Sequence, residues 1–472
     1  MRELELAVDL PLRMIWRDSS GSGDFWENAV PNDARNGIRM WRRMAAVPRI
    51  AMLFAFTWQS AWAGDRVDSG TLTRKLIMGY QGWFGCPGDG AKLGWRHWGD
   101  LANGPAPTVD MLPDVSELPA TERCATPLRS ADGHPVELFD SQNPATVQRH
   151  FAWMQQYGLD GVALQRFATE LLQLPVLHAD DVVLGNVRDA AEQHGRVFFV
   201  MYDLSGLSPA DLPAVARDWG RLEGEGITSS RAYLHHRGHP LLGVWGLGFG
   251  GRPLTPRDAE ALLDALARAS APHGGVTLLG GVPAYWRTRD RDASDNPGWD
   301  RVWRRLGVLS PWTIGRFSDD AGADTYRRTV MGPDLAATRK LGVDYLPVVF
   351  PGTSSANLAR ARHRPDLAIP NKIPRRCGHF YWRQVYNALT AGASMVYGAM
   401  FDEVDEGTAM FKVLPSAAQA PVPGEPLGIS FVTLDADGCK LPSDWYLRLA
   451  GAATTALRSG AQVSPALPLP SN

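Results

Sequence analysis

Short apolar runs alternate with amphipathic stretches along most of the chain. Eight runs of strand-forming residues lack polar alternation, a pattern typical of strands that are buried on both faces. They cover residues 76–80, 161–164, 197–200, 241–245, 276–279, 312–314 (ending at Arg316), 346–350 and 395–401. Buried strands of this kind form parallel sheets covered by helices, and eight strand–helix units close into a barrel.

Amphipathic segments with a helical period separate the strands. The predicted helices cover residues 143–157, 181–194, 209–222, 255–271, 326–341, 380–391 and 445–457. The sequence therefore predicts an α/β protein, a (β/α)8 TIM barrel with long βα loops. The alternative is an open doubly wound sheet, but GLGFGG at 246–251 lacks the spacing of a dinucleotide-binding fingerprint.

Two irregular stretches interrupt the series. Residues 95–142 form a long connection with scattered proline and glycine, and connections of that length are usually functional or disordered. After an Ala- and Pro-rich excursion, residues 429–434 are predicted to form a last strand-like piece.

Composition places the chain among ordinary globular proteins. It has 472 residues, 44% of them hydrophobic, and a formal net charge of -2, so a nucleic-acid partner is not expected. Its 17 tryptophans outnumber the 16 phenylalanines and 11 tyrosines. Indole faces bind the apolar faces of sugar rings, although tryptophan also fills protein cores.

The N-terminal region has the features of a secretory signal. Arginines at 42 and 43 precede the apolar run 50–56, and Ala61-Trp62-Ala63 offers a cleavage site. We expect a disordered leader or mis-assigned start at 1–39, a signal peptide at 40–63, the barrel at 64–460 and a disordered tail at 461–472. The apolar run is too short for a stable membrane span, so the expected location is secreted or periplasmic.

Four cysteines lack the spacing of a zinc site. Export makes disulfides possible, and Cys86 with Cys124 is the first candidate pair because both lie in loops near the same proposed strand end. Sequence alone does not determine the pairing, and it does not determine the oligomeric state.

An acidic run follows the eighth predicted strand directly. Asp402, Glu403, Asp405 and Glu406 come immediately after the apolar residues 395–401. Neighbouring carboxylates raise one another's pKa, so one can hold a proton near neutral pH while another is ionised, as general acid and base catalysis requires. A solvated acidic turn or a calcium loop would have the same composition.

The residues that follow the other strands form a set of aromatic, arginine and carboxylate side chains. Because catalytic groups of barrels lie at the carboxyl ends of the strands, we expect these side chains to bind a neutral hydroxylated substrate, an oligosaccharide or polysaccharide. Each could instead serve packing or a structural ion pair. The candidate binding residues are Trp83, Trp95, Arg96, His97, Trp98, Gln165, Arg166, Tyr202, Asp203, Trp245, Trp286, Arg287, Arg316 and Asp402.

A metal is the competing use of the carboxylates. Asp402, Asp405 and Asp203 could bind calcium or magnesium, but no second His or Asp cluster completes a site. No cofactor is therefore expected.

Several motifs resemble bacterial proteins grouped as glycoside hydrolase family 71/99-like, related to family 99 endo-alpha-mannosidases and family 71 alpha-1,3-glucanases. The motifs are MGYQGWFGCPGDG, GWRHW, TVDMLPD, DGVALQRF, VVFPG and AMFDEVDEGT, and they span about residues 76–412. The resemblance implies a (β/α)8 barrel that acts on alpha-linked glycans.

The resemblance also implies roles for two glutamates. Family 99 enzymes carry a Glu-Trp-His-Glu-Gly motif, onto which Glu403, Glu406 and Gly407 fall, with Val404 and Asp405 in place of Trp-His. The first glutamate of the family assists deprotonation of the sugar 2-OH, and the second protonates the leaving oxygen and later activates water. Direct displacement or inversion is the alternative mechanism. The competing functions are a glycan-binding barrel without catalysis and a metal-dependent carbohydrate-active enzyme.

Overall fold

The computed structural model describes residues 66–102, 106–130, 133–421, 428–460 and 462–469. The predicted leader and signal peptide lie outside these residues. No helix in the described part of the chain is both long and apolar enough to cross a bilayer.

The strands form one parallel sheet in chain order. They are β1 (Leu76–Tyr80), β2 (Gly161–Phe167), β3 (Val197–Asp203), β4 (His239–Trp245), β5 (Thr277–Pro283), β6 (Val308–Trp312), β7 (Asp344–Tyr345 and Val348–Val349) and β8 (Val396–Gly398). Neighbours in this series pair in parallel register, and β8 returns to β1. The two-residue piece His235–His236 pairs with β4 in the opposite direction.

The interrupted strand β7 closes the sheet. Its first piece pairs with β6, and its second piece, three residues further along the chain, pairs with β8. The backbone at the break also takes part, because the amide of Leu346 donates to Leu309 and the amide of Tyr397 donates to Pro347. The predicted (β/α)8 barrel is confirmed.

Helices cover the outside of the barrel. They are α1 (Pro144–Gln156), α2 (Leu174–His194), α3 (Pro213–Gly224), α4 (Pro256–Ser270), α5 (Trp299–Trp303), α6 (Asp320–Tyr326), α7 (Gly332–Leu341), α8 (Ala356–Ala361), α9 (His379–Thr390) and α10 (Trp445–Ser459). The Thr-Pro signal at 255 forms a capping box in which Thr255 and Asp258 satisfy each other's backbone amides.

Three predictions about elements are wrong in detail. Strand β6 ends at Trp312, where the sequence placed its beginning, because Ser310 and Pro311 interrupt the apolar run that would have revealed it. Helix α2 begins seven residues earlier than the predicted 181, at a Pro-containing first turn. The predicted strand-like piece 429–434 has no strand; its backbone is held in the loop by Val432, which donates to the carbonyl of Asp110.

The predicted helix 326–341 consists of a π-helical turn at Arg327–Met331 followed by α7, and α6 precedes the turn and ends at Tyr326. The long connection 95–142 contains a two-stranded antiparallel hairpin, Arg123–Arg129 with Pro135–Phe139. Cys86 and Cys124 form the expected disulfide, which joins this hairpin to the loop after β1. Cys377 and Cys439 form a second disulfide.

The predicted tail is described only at residues 462–469, which contain no helix or strand. The indole of Trp382 donates to the carbonyl of Ser464 at 2.9 Å, so this part of the tail contacts helix α9.

Candidate active site

Side-chain alternation along the strands decides which residues face the barrel interior. Across β2 to β5 the register aligns Phe167 with Asp203, Asp203 with Trp245, and Trp245 with Gly281. A Cβ at position 281 would lie 2.2 Å from Cδ1 of Trp245, so only glycine leaves room for this indole. Phe167, Asp203 and Trp245 therefore form one layer at the carboxyl ends of the strands.

A second set of side chains lies just below this layer. Gln165 donates to the hydroxyl of Tyr397 at 3.0 Å, which links β2 to β8. The ring of Trp312 lies 6.4 Å from that of Tyr397 and 5.4 Å from that of Trp245. Burial raises the pKa of Tyr397, so its hydroxyl stays protonated. These residues form the floor of the open carboxyl-terminal end of the barrel, called the mouth below.

Arg166 and Tyr202, both predicted to bind substrate, lie on the outer face of their strands. Arg166 donates to Asp218 of α3 at 3.1 Å and to Asp181 of α2 at 3.0 Å. The Tyr202 hydroxyl donates to the same Asp218 at 2.7 Å. Both side chains therefore tie strands to the covering helices and do not reach the mouth.

The acidic run after β8 folds back on itself as a closed loop. The amide of Phe411 donates to Phe401 at 2.9 Å, and the amide of Thr408 donates to Glu403 at 3.1 Å. The buried guanidinium of Arg375 donates to the carbonyls of Gly407 and Ala409 at 2.8 and 2.7 Å. The backbone that presents the carboxylates is therefore fixed by main-chain bonds and by one buried cation.

The loop after β7 fixes the same backbone from the other side. The amide of Ser354 donates to the carbonyl of Glu406 at 2.8 Å. Asp110, from the TVDMLPD motif, accepts from the amides of Ala356 and Asn357 at 2.7 Å each, at the start of α8. Gly407 has φ +66°, and a Cβ there would lie 2.5 Å from the Ser354 amide, so glycine is required at this position.

Glu403 is buried and held at both carboxylate oxygens. Gln81, the first residue after β1, donates to Oε1 at 2.6 Å, and Thr408 donates to Oε2 at 2.5 Å. Burial, and then the charges of Glu406 and Asp405, raise the pKa of Glu403 well above its usual range.

Glu406 is half-buried, and no described residue donates a hydrogen bond to its carboxylate. Burial and then the charge of Asp405 raise its pKa to about 7, with Arg362 acting in the opposite direction and Asp203 in the same one. Glu403 is therefore held by two hydrogen bonds, whereas the carboxylate of Glu406 is open to a ligand. The two side chains are close enough to interact electrostatically.

Asp402 and Asp405, the two aspartates of the acidic run, also differ in whether their carboxylate oxygens have hydrogen-bond partners. Asp402 is fully buried, and its oxygens accept from the amides of Gln81 and Gly82 at 2.8 and 2.9 Å, so it joins the ends of β8 and β1 and is not open to substrate. Asp405 is also buried, but its Oδ1 has no hydrogen-bond partner among the described residues. Burial raises the pKa of each to about 7.

Trp83 lies within an aromatic group on one side of the mouth. The imidazole of His97 stacks on the indole with centroids 3.9 Å apart and planes 5° apart, and Phe167 lies 5.1 Å away. Nδ1 of His97 lies 3.9 Å from Asp405 Oδ2. Burial, followed by the charge of Arg96, lowers the pKa of His97 to about 3, so the ring is neutral.

The rest of the GWRHW motif is structural. Trp98 is fully buried and donates to the carbonyl of Phe139 at 3.2 Å. Arg96 forms ion pairs with Glu170 at 2.8 Å and with Asp180 at 2.9 Å. Trp95 is half-buried and packs against the core.

The candidates after β5 and β6 are also held by protein partners. Asp334 of α7 accepts from the Trp286 indole at 2.9 Å and from Arg287 at 2.7 Å. Arg316 donates to Asp292 at 2.7 Å. These three side chains connect loops to the barrel wall.

The structure adds three residues that the sequence reasoning missed. Gln81 bonds Glu403, Tyr397 bonds Gln165, and the charge of Arg362 acts on Glu406. Gln81 follows β1 directly and could have been found from its position, whereas Tyr397 lay inside an apolar run and Arg362 lay far from any predicted strand end. In the described part of the chain, no group of three or more His, Cys, Asp or Glu side chains is arranged so that it could hold a metal ion.

No protein-family model matches the chain, and no curated protein matches it. Two structures of the GH99 endo-alpha-mannosidase from Bacteroides thetaiotaomicron do resemble it. The complex with BIS-TRIS-propane has a TM-score of 0.56 and 14% identity and covers 83% of this chain and 99% of that chain. The other structure has a TM-score of 0.56 and 14% identity and covers 82% and 99%. The likeness establishes that the chain has the barrel fold of that protein.

Proposed function

We propose that the protein is a glycoside hydrolase that cleaves alpha-linked glycans, with Glu406 as general acid/base and Glu403 as its partner. The observation that carries the proposal is the pair of glutamates at the carboxyl end of β8, one fixed at both oxygens and the other open to a ligand. The shared fold with a GH99 endo-alpha-mannosidase supports it.

The reaction needs one protonated and one ionised carboxyl group. Glu406 gives its proton to the glycosidic oxygen as the bond from that oxygen to the anomeric carbon breaks. It then takes a proton from water as the water oxygen bonds to the anomeric carbon. Both protons are accounted for, and Glu406 ends the cycle protonated.

Glu403 acts as a base or as a stabilising negative charge on the side of the anomeric carbon opposite the leaving group. In the retaining form, it accepts the proton of the sugar 2-OH while that oxygen attacks the anomeric carbon, and the proton returns when water opens the intermediate. A carboxylate with a raised pKa is a stronger base, which suits this step. In the inverting form, Glu403 instead of Glu406 would take the proton from the attacking water, and that proton would return to Glu406 through solvent before the next turnover.

The bound sugar places the proton on the correct glutamate. Without substrate, burial and mutual repulsion let the two glutamates share one proton near neutral pH. A sugar hydroxyl that donates to Glu403 stabilises its ionised form, and the proton is then favoured on Glu406.

The test is product analysis by mass spectrometry on a panel of alpha-linked mannans, glucans and xylose- or arabinose-containing glycans. We expect shorter oligosaccharides from the wild type and a turnover about 10²- to 10⁴-fold lower in Glu403→Gln and Glu406→Gln. Glu137→Gln, which alters a carboxylate on the hairpin, is the matched control and should retain activity.

Wild-type-like turnover in either glutamate variant would refute the assignment of that residue. Binding of oligosaccharides without any product would identify the protein as a non-catalytic glycan-binding barrel. Loss of activity with EDTA would identify a metal-dependent enzyme.

A further inference from the structure

Gln81 is bound to the acidic loop through both its backbone and its side chain. It directly follows β1, and its backbone amide donates to Asp402 Oδ1 at 2.8 Å. Its side-chain amide donates to Glu403 Oε1 at 2.6 Å. The pairing of β1 with β8 brings these groups together, and the amide of Phe401 extends it by donating to the carbonyl of Gly79 at 2.7 Å. Main-chain bonds therefore set the position of Gln81 relative to Glu403.

The side chain of Gln81 forms one hydrogen bond in the described part of the chain, the bond to Glu403. Gln81 is only 8% exposed, and its amide oxygen is buried without a hydrogen-bond partner among the described residues. Burying an unpartnered amide oxygen costs free energy, and an apolar side chain of similar size would fill the space without that cost. Packing therefore does not explain a glutamine here, whereas the bond to Glu403 does.

This bond distinguishes the two protonation states of Glu403. An ionised carboxylate can only accept hydrogen bonds, so the amide nitrogen of Gln81, and not its oxygen, must face it. Thr408 donates to the other carboxylate oxygen of Glu403 at 2.5 Å. Both bonds are charge-assisted when Glu403 is ionised, so together the two donors favour that form.

The carboxyl groups around Glu403 oppose its ionisation. Burial and the charges of Glu406 and Asp405 act against it, whereas the bonds from Thr408 and Gln81 act in its favour. The other titratable or charged groups on the surrounding elements are Asp402, Tyr397 of β8, Asp203 of β3, Arg362, which acts on Asp405 and Glu406, and Arg375, which bonds the carbonyls of Gly407 and Ala409. Neutral donors thus hold Glu403 directly.

We propose that Gln81 is a positioning residue that holds Glu403 ionised and in one orientation for the reaction. The inference rests on the proposed hydrolase function, in which Glu403 is the partner of Glu406. Each carboxylate oxygen can accept two hydrogen bonds, so the bonds from Gln81 and Thr408 leave Glu403 able to accept a further one from a sugar hydroxyl.

The test measures the ionisation of Glu403 directly and turnover separately. The whole protein is prepared with glutamate carrying ¹³C at the side-chain carboxyl, and the NMR signal of Glu403 is identified by its absence from Glu403→Gln. The pKa is read from a pH titration of the wild type, Gln81→Leu and Gln81→Glu. Each titration is repeated in the Glu406→Gln background, where Glu403 no longer titrates together with that neighbour. Thermal unfolding shows which variants are folded.

Gln142→Leu is the matched control. The side-chain amide of Gln142 donates to Asp89 Oδ2 at 2.7 Å, so this variant removes the same kind of bond from a carboxylate outside the acidic loop. It should leave the pKa of Glu403 and the pH–rate profile unchanged.

We expect Gln81→Leu to raise the pKa of Glu403 by about one unit and to move the acidic limb of the pH–rate profile to higher pH by the same amount. Turnover should fall about 10- to 100-fold, with KM changed less than about 3-fold. Gln81→Glu preserves the size of the side chain and decides the question if Gln81→Leu does not fold. It should raise the pKa further, because a second carboxylate then adjoins Glu403.

An unmoved pKa of Glu403 in a folded Gln81 variant would overturn the inference, and products from the wild type would show that the hydrolase function stands. A lower turnover with an unmoved acidic limb would also overturn it, because Gln81 would then serve packing alone. A raised pKa in the variants, together with no product from the wild type on the glycan panel, would support the control of Glu403 by Gln81 and refute the hydrolase function.

Discussion

The loop after β8 and the loops after β5 and β6 all carry buried or half-buried charged side chains, yet the bonding of those side chains differs. In the first, Glu406 has an open carboxylate and Asp405 has an unpartnered oxygen among the described residues. In the second, Trp286 and Arg287 share Asp334, and Arg316 is paired with Asp292. Carboxylates at strand ends are thus open to a ligand in one place and paired within the framework in the other.

The difference lies in how completely polar groups are satisfied inside the protein. A buried polar group without a partner costs free energy, so proteins keep such groups mainly where a ligand completes them. Side chains paired with a structural partner, as Arg316 is with Asp292, stabilise the fold. Position at a strand end is therefore not sufficient for a role at the mouth.

The largest effect should come from breaking the framework at Asp334. Asp334→Ala removes the acceptor for Trp286 and Arg287, and we expect the free energy of unfolding to fall by about 2–4 kcal/mol. Turnover per folded molecule should not change, because none of the three touches the glutamates. Chemical denaturation and active-site titration measure the two quantities.

The matched control is Asp264→Ala, which removes an exposed ion pair with Arg305 and should change stability by less than about 1 kcal/mol. A large loss of turnover in folded Asp334→Ala would show that the β5 loop belongs to the site.

The acidic loop should make stability depend on pH in a definite direction. Asp402, Asp405 and Glu406 have a pKa of about 7 in the folded protein, against about 4 in an unfolded chain. Between these values the folded protein holds protons that the unfolded chain has released, so stability should fall as the pH rises from about 4 to about 7. Asp334, with a pKa also raised to about 7 by burial, adds to the trend.

Denaturation at pH 5 and at pH 8 tests this directly. We expect the protein to be more stable at pH 5. His97, whose pKa burial lowers to about 3, acts in the opposite direction up to about pH 6.5, so equal or greater stability at pH 8 would mean that the carboxyl groups do not outweigh it.

The smallest effect should come from Asp405→Asn. The charge of Asp405 raises the pKa of Glu406, so its removal should lower that pKa and move the alkaline limb of the pH–rate profile to lower pH by about half a unit to one unit. The pH profile of turnover on a cleaved glycan measures the shift. Asp203→Asn is the matched comparison, since Asp203 acts on Glu406 less strongly. An unmoved alkaline limb in Asp405→Asn would show that Glu406 does not set it.

The local pattern of apolar and polar residues predicted the barrel fold and most of its strands and helices. Apolar runs without polar alternation identified seven of the eight strands close to their observed positions, and the Thr-Pro start identified α4. Strand β6 was misplaced because Ser310 and Pro311 lie in its centre, and proline is not expected inside a buried strand. The Cys86–Cys124 disulfide followed from the nearness of two loops to one strand end.

The candidate site was less fully predictable. Position at strand ends brought Glu403, Glu406, Asp203, Gln165 and Trp245 into one set. It also included Arg166 and Tyr202. Both lie at positions of their strands whose side chains point away from the barrel interior, and both bond Asp218. A stricter use of alternation would have removed these two residues, but nothing in the chain shows that Asp334 or Asp292 pairs with an arginine far away in sequence.

The sequence by itself determined the order of strands and helices and the placement of the acidic run after β8. These features depend on the spacing of apolar residues and on neighbours within a few positions, and both can be read directly from the sequence. Only the tertiary structure decided which polar groups are satisfied, because their partners come from other loops and elements: Gln81 for Glu403, and Asp334 for Arg287. Hydrogen bonds and ion pairs depend on distances of a few ångströms, and folding alone sets those distances.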